Sequence, residues 1–489
     1  MTTRWWLLTL LLASLPCTGA PLLQVVYPGT LPASRVWIEA SGLTLRAHDA
    51  QGGLRWTYAL LQSADGGDCD GQLWPATLLQ DTDSDGRIDA SRGERARLVL
   101  ALNWLSGGRQ RSAVMALDLA TPGPPRELWR RDDQQLPQLA NLVVAPTPAR
   151  VRIANLNRDP AQWVVLLGAG LPRATAAGAS ARDGAQLLAL DAQDGRTLWR
   201  AGGPGSGADQ VFGDLRHALG GAITALDTHL DGQTDRLYLG DWNAGLWRID
   251  LLPGASPAQL ARAGRLAQLD DPLHPLARGL LAAPDISLMR EGARQWFNVA
   301  VGSVGTGLGT PGNQALFVLR DAQPFTALTQ REFEARDPIR ASDLPIPDDS
   351  DSTVTDTRGP GWQWPLGSGQ VLTRSLTLGG VLLFVQQLSP APSLTAACRP
   401  APVRIQVAVG ALGVRDGLPV VDLDGDGQRS TSDRAVQRQV QGSDRPALQA
   451  SPPDEDPLAP GCQLDGQVLA GCPPLPPPRQ LYWRRHDVD

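Results

Sequence analysis

Residues 189–200 read Ala-Leu-Asp-Ala-Gln-Asp-Gly-Arg-Thr-Leu-Trp-Arg, and this stretch decides the fold. An apolar approach to Asp191, a tight Asp194-Gly195 turn and a return ending at Trp199 describe a β-hairpin, because Asp-Gly tolerates the positive φ that a sharp reversal needs. The unit recurs. Ala47-His48-Asp49 leads through Gly52-Gly53 to Trp56, and Ala116-Leu117-Asp118 leads through a Pro/Gly loop to Trp129. A looser echo runs from Gly240 to Asp250 and carries Trp242 and Trp247, and the chain closes on Leu481-Tyr482-Trp483-Arg484. Chance among 15 tryptophans does not place Ala-x-Asp ahead of three of them. Strand–turn–strand units with a Trp at a fixed place predict an all-β chain, a β-propeller of about six or seven blades with each Trp packed between neighbours.

Between the hairpins lie apolar runs of strand length: 95–105, 162–170, 235–241, 296–304, 314–321 and 379–388. Two of them closely follow an acidic turn, so such turns are expected to join an outer strand to an inner one within a blade. Residues 341–361 read as a polar excursion between blades. The propeller is expected to fill 21–445. Residues 446–489 form a Pro-rich tail, extended in character, with 481–485 as a candidate closing strand.

The acidic turns carry the chemistry. Asp81-Thr82-Asp83-Ser84-Asp85-Gly86-Arg87-Ile88-Asp89 places carboxylates at alternate positions, then a Gly for the sharp turn, then a carbonyl donor at Arg87 and a further carboxylate at Asp89. Calcium takes six to eight hard oxygen ligands, and this order is that of the first nine positions of an EF-hand loop. Arg92 stands where the bidentate glutamate would be, which predicts weaker binding or recruited water. A second run has Asp422, Asp424 and Asp426 at the same spacing, the carbonyl of Gln428, and Asp433 closing the loop. The overlapping stretch 432–441 is expected to be a short exiting helix. A third, worn copy spans Asp227 to Asp235 with His229 in place of a carboxylate, and reads equally as a weak site or a relic turn. The plain alternative for all three is an Asp-rich surface turn without an ion.

Composition narrows the rest. Net charge is −6, charged residues are 19% and no basic stripe is present, which excludes a nucleic-acid surface. Glycine (52) and proline (41) suit many turns between short strands, and the cationic charge is carried by arginine. Arg4, the apolar run 5–15 and the small residues 17–20 predict an export signal over 1–20, too short to span a membrane. No later segment reaches spanning length. Removing the signal leaves Cys69, Cys398, Cys462 and Cys472, an even set that favours disulfides in an exported chain. Three connectivities are open. Cys462 with Cys472 is the favoured pair, because the tail has little core of its own, and Cys69 with Cys398 follows by elimination. Scattered histidines and the absence of CxxC argue against zinc. Gly168-Ala169-Gly170 and the glycines at 305–309 complete no phosphate-binding fingerprint and read as turns.

The stretches 223–251, 280–288, 297–309 and 315–321, together with the loops at 81–89 and 418–436, resemble in order the C-terminal β-propeller of the PilY family, calcium-binding proteins of type IV pilus biogenesis and the pilus tip. The resemblance runs from about Asp81 to Val436 and is densest over 220–321. It implies a non-catalytic calcium-responsive propeller working with minor pilins or pilus assembly proteins in a Gram-negative envelope, in the periplasm, at the outer membrane or on the surface. The large N-terminal half of the family, often with a von Willebrand factor A-like module, has no counterpart in these residues, so adhesion roles of that half do not carry over. Two other readings compete. One is a periplasmic scaffold. The other is a quinone-dependent dehydrogenase, since 189–199 also resembles that family's blade motif, but no vicinal cysteine pair is present and the acids lie in loops.

Overall fold

The computed structural model describes residues 21–468, apart from 28–33, 62–70, 81–94, 155–161, 173–183, 307–312, 347–358, 389–403 and shorter stretches, most of them between 413 and 466. The expected signal at 1–20 and closing strand at 481–485 lie outside the described residues, as do Cys69, Cys398 and Cys472.

Six sheets of four or five strands follow one another along the chain among the described residues. The first holds Pro21–Tyr27, Ser34–Ser41, Thr44–His48 and Leu54–Ala59; the second Gln72–Gln80, Arg95–Ser106, Arg109–Asp118 and Arg126–Asp132. The third holds Thr147–Val151, Gln162–Gly168, Gln186–Asp191 and Thr197–Gly202, and the fourth Thr224–Leu226, Arg236–Gly240, Gly245–Leu251 and Ala261–Gln268. In the fifth, Arg278–Leu280 and Asp285–Glu291 share one edge of Arg294–Gly305, followed by Gln314–Asp321 and Gly361–Gly367. The sixth holds Leu376–Leu378, Val381–Gln387, Arg404–Leu412 and Ala435–Gln441. Each is an antiparallel meander. Two short strands add in parallel at outer edges, Gln210–Val211 on the third sheet and Ile339–Arg340 on the fourth.

First strands of successive sheets are neighbours: Gln72–Gln80 lies by Thr147–Val151, that strand by Thr224–Leu226, and Asp285–Glu291 by Leu376–Leu378. Side chains tie them, with Thr147 Oγ1 donating to the Ile223 carbonyl at 3.0 Å and Thr224 Oγ1 to the Pro284 carbonyl at 2.5 Å. First strands gathered inward and sheets radiating outward make a β-propeller.

The second to fifth sheets are each packed on both faces, and this explains why their strands read as continuous apolar runs, whereas Thr44–His48 and Leu54–Ala59 of the first sheet alternate buried and more exposed residues. Leu98, Leu100 and Leu102 pack toward the first sheet, while Val99 and Ala101 between them pack toward the third. Further cores join the third to the fourth sheet, the fourth to the fifth and the fifth to the sixth. All six apolar runs singled out in the sequence are strands.

The repeated motif has a uniform geometry. Ala47 pairs across strands with Trp56, Ala116 with Trp129 and Ala189 with Trp199, and each pair is followed by a register shift. The small Ala leaves room for the indole, and the Asp two residues on caps the turn: Asp49 Oδ1 accepts from the Gly53 N–H at 2.7 Å and Asp191 Oδ1 from the Gln193 N–H at 2.7 Å. Each Trp lies in the core shared with the next sheet, as expected.

Four expectations need correction. The echo at 240–250 joins the second and third strands of its sheet, with Leu239 opposite Trp247, whereas the other three units join the third and fourth. The acidic turns at 81–94 and 227–235 leave the innermost strand rather than arrive from an outer one. The excursion at 341–361 lies within the fifth sheet, between Gln314–Asp321 and Gly361–Gly367, not between sheets. Finally, Ala435–Gln441 is a strand paired with Arg404–Leu412, not a helix. Val436 and Val440, four residues apart, fit one face of a strand as well as one face of a helix, so the pattern alone does not separate the two. In the tail, Leu448–Ala450, Cys462–Leu464 and Gln467–Val468 form a small sheet.

Candidate functional site

The meander places the acidic turns in related positions. Segment 81–94 joins the first and second strands of its sheet, whose facing ends Gln80 and Arg95 are paired. Segment 227–235 makes the same connection two sheets on, between Leu226 and Arg236, which are paired. The run at 422–433 sits between the third and fourth strands of the sixth sheet, beyond the Gly410–Ala435 pair. In an up-and-down sheet, first-to-second and third-to-fourth connections emerge at one end.

Asp81, Asp83, Asp85, Arg87 and Asp89 lie outside the described residues, as do Asp422, Asp424 and Asp433. Asp426 and Gln428 are described and exposed. Asp426 Oδ1 accepts from the Gln428 N–H at 2.7 Å, an Asx turn of the kind a tight acidic loop requires. Leu423 beside them is buried and anchors the start of the run.

The worn copy is described in full, and its carboxylates serve its own backbone. Asp227 accepts from the N–H groups of Asp231 at 3.2 Å and Gly232 at 2.7 Å. Asp231 accepts from the Gln233 N–H at 2.9 Å. Asp235 takes the Thr228 N–H and hydroxyl, the His229 N–H and His229 Nδ1, the last at 2.5 Å. Two residues hold the left-handed conformation in this turn, Gly232 at φ 80° and, against the usual preference, Leu230 at φ 59°. Burial raises the Asp227 pKa. Among the described residues no three His, Cys, Asp or Glu side chains converge as a metal would need. The carboxylates at 227–235 thus close the turn through its own backbone.

Directly after this turn lies a buried ionic network. Arg236 Nε donates to Asp250 Oδ1 at 2.7 Å, and Arg248 donates to Asp250 Oδ2 and to both oxygens of Asp321, each at 2.8 Å. Tyr238 OH donates to Asp321 Oδ2 at 2.5 Å. All five side chains are fully buried. Burial works against the Arg248 charge, but Asp321 and Asp250 outweigh it, so its pKa lies above the ordinary value; burial and Asp321 push the Tyr238 hydroxyl well up. The fourth sheet therefore departs from its neighbours. Arg248 occupies the place of the Ala in Ala-x-Asp, and opposite it stands Gly264 instead of Trp. A Cβ on Gly264 would meet Phe333 at 2.6 Å, so that ring, brought in from 322–346, fills the indole's place.

Two more carboxylates are buried near sheet junctions. Asp241 accepts from Trp247 Nε1 at 2.9 Å and from the Gly245 and Asn243 N–H groups, and burial still raises its pKa. Burial likewise raises that of Asp285, which accepts from the Thr377 N–H at 2.7 Å and from Arg374 at 3.2 Å. Sequence reading missed the network, although its signal is present: Arg248-Ile249-Asp250 stands where other sheets have Ala-x-Asp.

Four-stranded meanders radiating from inner strands, with acidic connections at one end of the sheets, make the chain a β-propeller in architecture. The fold is that of the Pseudomonas aeruginosa PilY1 C-terminal domain, whose crystal structure it matches with a TM-score of 0.57 at 17% identity, over 91% of this chain and 92% of that one. In sequence the chain is similar to the type IV pilus biogenesis factor PilY1 of P. aeruginosa strain PAO1, 29% identical over 167 residues, and to that of strain UCBPP-PA14, 28% identical over 148. These matches cover 34% and 30% of this chain but only 12% and 11% of the curated relatives. No family model matches. The resemblance to PilY read from the sequence is borne out at this level.

Proposed function

We propose that the protein is a non-catalytic calcium-binding β-propeller of type IV pilus biogenesis, exported and acting in pilus assembly, extension–retraction control or surface attachment. The observation supporting this most is the joint likeness to PilY1, in sequence over a third of the chain and in fold over nearly all of it. Among the described residues no helix is long and apolar enough to cross a membrane, which leaves β-barrels unaddressed. The partners on this reading are minor pilins or assembly proteins.

Asp81, Asp83, Asp85, Asp89 and the Arg87 carbonyl would hold one calcium, and Asp422, Asp424, Asp426, Asp433 and the Gln428 carbonyl a second. Calcium would supply charge neutralisation. Without a cation the carboxylates repel one another, and the strands that flank the loop, Gln72–Gln80 and Arg95–Ser106, lose the restraint at their open end.

A deletion strain tests the reading. Piliation and twitching should change, and a copy carrying Asp81→Ala and Asp83→Ala should restore them without their response to calcium. Normal pili and motility after deletion, in a strain without a paralogue, would favour the periplasmic scaffold. Quinone-dependent dye reduction by the purified protein would overturn both.

A further inference from the structure

We infer that residues 322–346 form a strap that docks on the outer edge of the fourth sheet and opens as one unit, with the turn 227–235 and the strap coupled through Arg236. The strap belongs to the fifth sheet by connectivity and to the fourth by contact.

Its first part is latched by carbonyls. Arg236 donates to the backbone oxygens of Gln323 at 3.1 Å, Pro324 at 2.5 Å and Thr326 at 3.0 Å, and Arg248 reaches Gln323 and Thr326 as well. Asp250 Oδ2 accepts from the Leu328 N–H at 2.8 Å. Its middle is the short helix Gln330–Glu334, capped by Thr329 and Glu332, which delivers Phe333 to the slot over Gly264. The rest covers an edge. The Gln330 amide donates to the Ala263 carbonyl and accepts from its N–H, both at 3.1 Å, in the manner of a neighbouring strand. Ile339 and Arg340 then pair in parallel with Ala267 and Gln268, and the Gln210 amide does for Ala261 what Gln330 does for Ala263.

An outer strand with free N–H and C=O groups is a template for pairing with other chains. Here it is covered by two side-chain amides and two strand residues instead of a full strand, so removing the strap would bare most of the edge at once. The link to the turn is covalent. Asp235, which organises Thr228 and His229, is followed by Arg236, and the Leu251 N–H holds the Asp235 carbonyl at 2.8 Å. Displacing the turn moves the guanidinium that holds three strap carbonyls.

Hydrogen exchange measured by mass spectrometry on the full chain tests this from two sides. Gly264→Val displaces Phe333 and removes none of the hydrogen-bonding groups of the ionic latch; Asp235→Asn weakens the turn and touches no strap residue. Both should raise exchange at least tenfold across 322–346 and 261–268 together, while 95–118 keeps its protection. The milder Gly264→Ala should act in the same direction. Exchange that rises only at the substituted site, stays unchanged in the strap, or rises equally in 95–118 overturns the proposal.

Discussion

Trp129 of the second sheet rests on Gly195 of the third: a Cβ at Gly195 would lie 2.5 Å from the indole Cε3, and Trp129 Nε1 donates to the Ala192 carbonyl at 3.0 Å. One residue pair thus explains two parts of the repeat. The Trp needs a neighbour without a side chain, and the turn needs a residue at φ 70°, and a single glycine meets both demands.

Gly195→Ala should therefore destabilise by more than the strain of the left-handed conformation alone, which is about 1 kcal/mol. Equilibrium denaturation comparing it with Gly205→Ala, where φ is 79° and nothing lies within 4 Å of a new Cβ, separates the clash from the strain. Equal losses would show that the indole moves away without cost.

Trp199→Ala should cost about 3–5 kcal/mol, the range for removing a buried large aromatic. Trp199 is fully buried in the core shared by the third and fourth sheets. Asp85→Ala, in an acidic loop, should change stability little in the absence of calcium. An unchanged melting temperature for Trp199→Ala would refute the inter-sheet packing role.

Arg248→Met should lose about 3–5 kcal/mol, because Asp321 would keep its buried charge without its guanidinium partner. Restoring neutrality with Asp321→Asn in the same chain should recover part of the loss. Thermal melts of the single and double variants decide it: a double variant less stable than the single one would mean that Asp321 is not left uncompensated.

Calcium should discriminate among the loops. With chelator-stripped protein, added calcium should raise the melting temperature, as a ligand selective for the folded state does. Asp83→Asn should reduce that shift, and Asp231→Asn should leave it unchanged, because Asp231 already accepts from Gln233 and its turn is closed without an ion. Isothermal titration without heat of binding would remove calcium from the account.

Asp285 sets a pH dependence with a definite sign. Its folded pKa is raised by burial, so between the unfolded value of about 3.9 and that higher value the folded state binds more protons. Its contribution to stability therefore falls as pH rises through the folded pKa and improves on acidification. The melting temperature of wild type relative to Asp285→Asn should shift in favour of the wild type as pH is lowered from neutrality toward the unfolded value of about 3.9. The opposite shift would show that Arg374 and Thr377 outweigh burial.

Much of this architecture was legible in the chain because blades are local. Ala189, Asp191, Gly195 and Trp199 lie within one hairpin, so their spacing records strand, cap, turn and indole directly, and the long apolar runs record sheets covered on both faces. The reading failed where a connection ran further. Ala435–Gln441 lies beyond the acidic loop from its partner Arg404–Leu412, and an acidic loop followed by a short apolar-polar run suits a helix until the partner strand is known.

The sequence by itself determined the class of fold and the positions of its acidic turns, since both depend on residues close along the chain: period-two patterns, Asp-Gly reversals and oxygen donors at alternate positions. Tertiary structure alone decided how the fourth sheet is completed. Phe333 takes the place of an indole opposite Arg248, and Arg236 and Arg248 hold Asp250, Asp321 and the carbonyls at 323–326, partners up to 90 residues away. Burial makes the difference: an arginine in a list of residues is a solvated charge, and only a neighbouring sheet that excludes water makes carboxylates and carbonyls its obligatory partners.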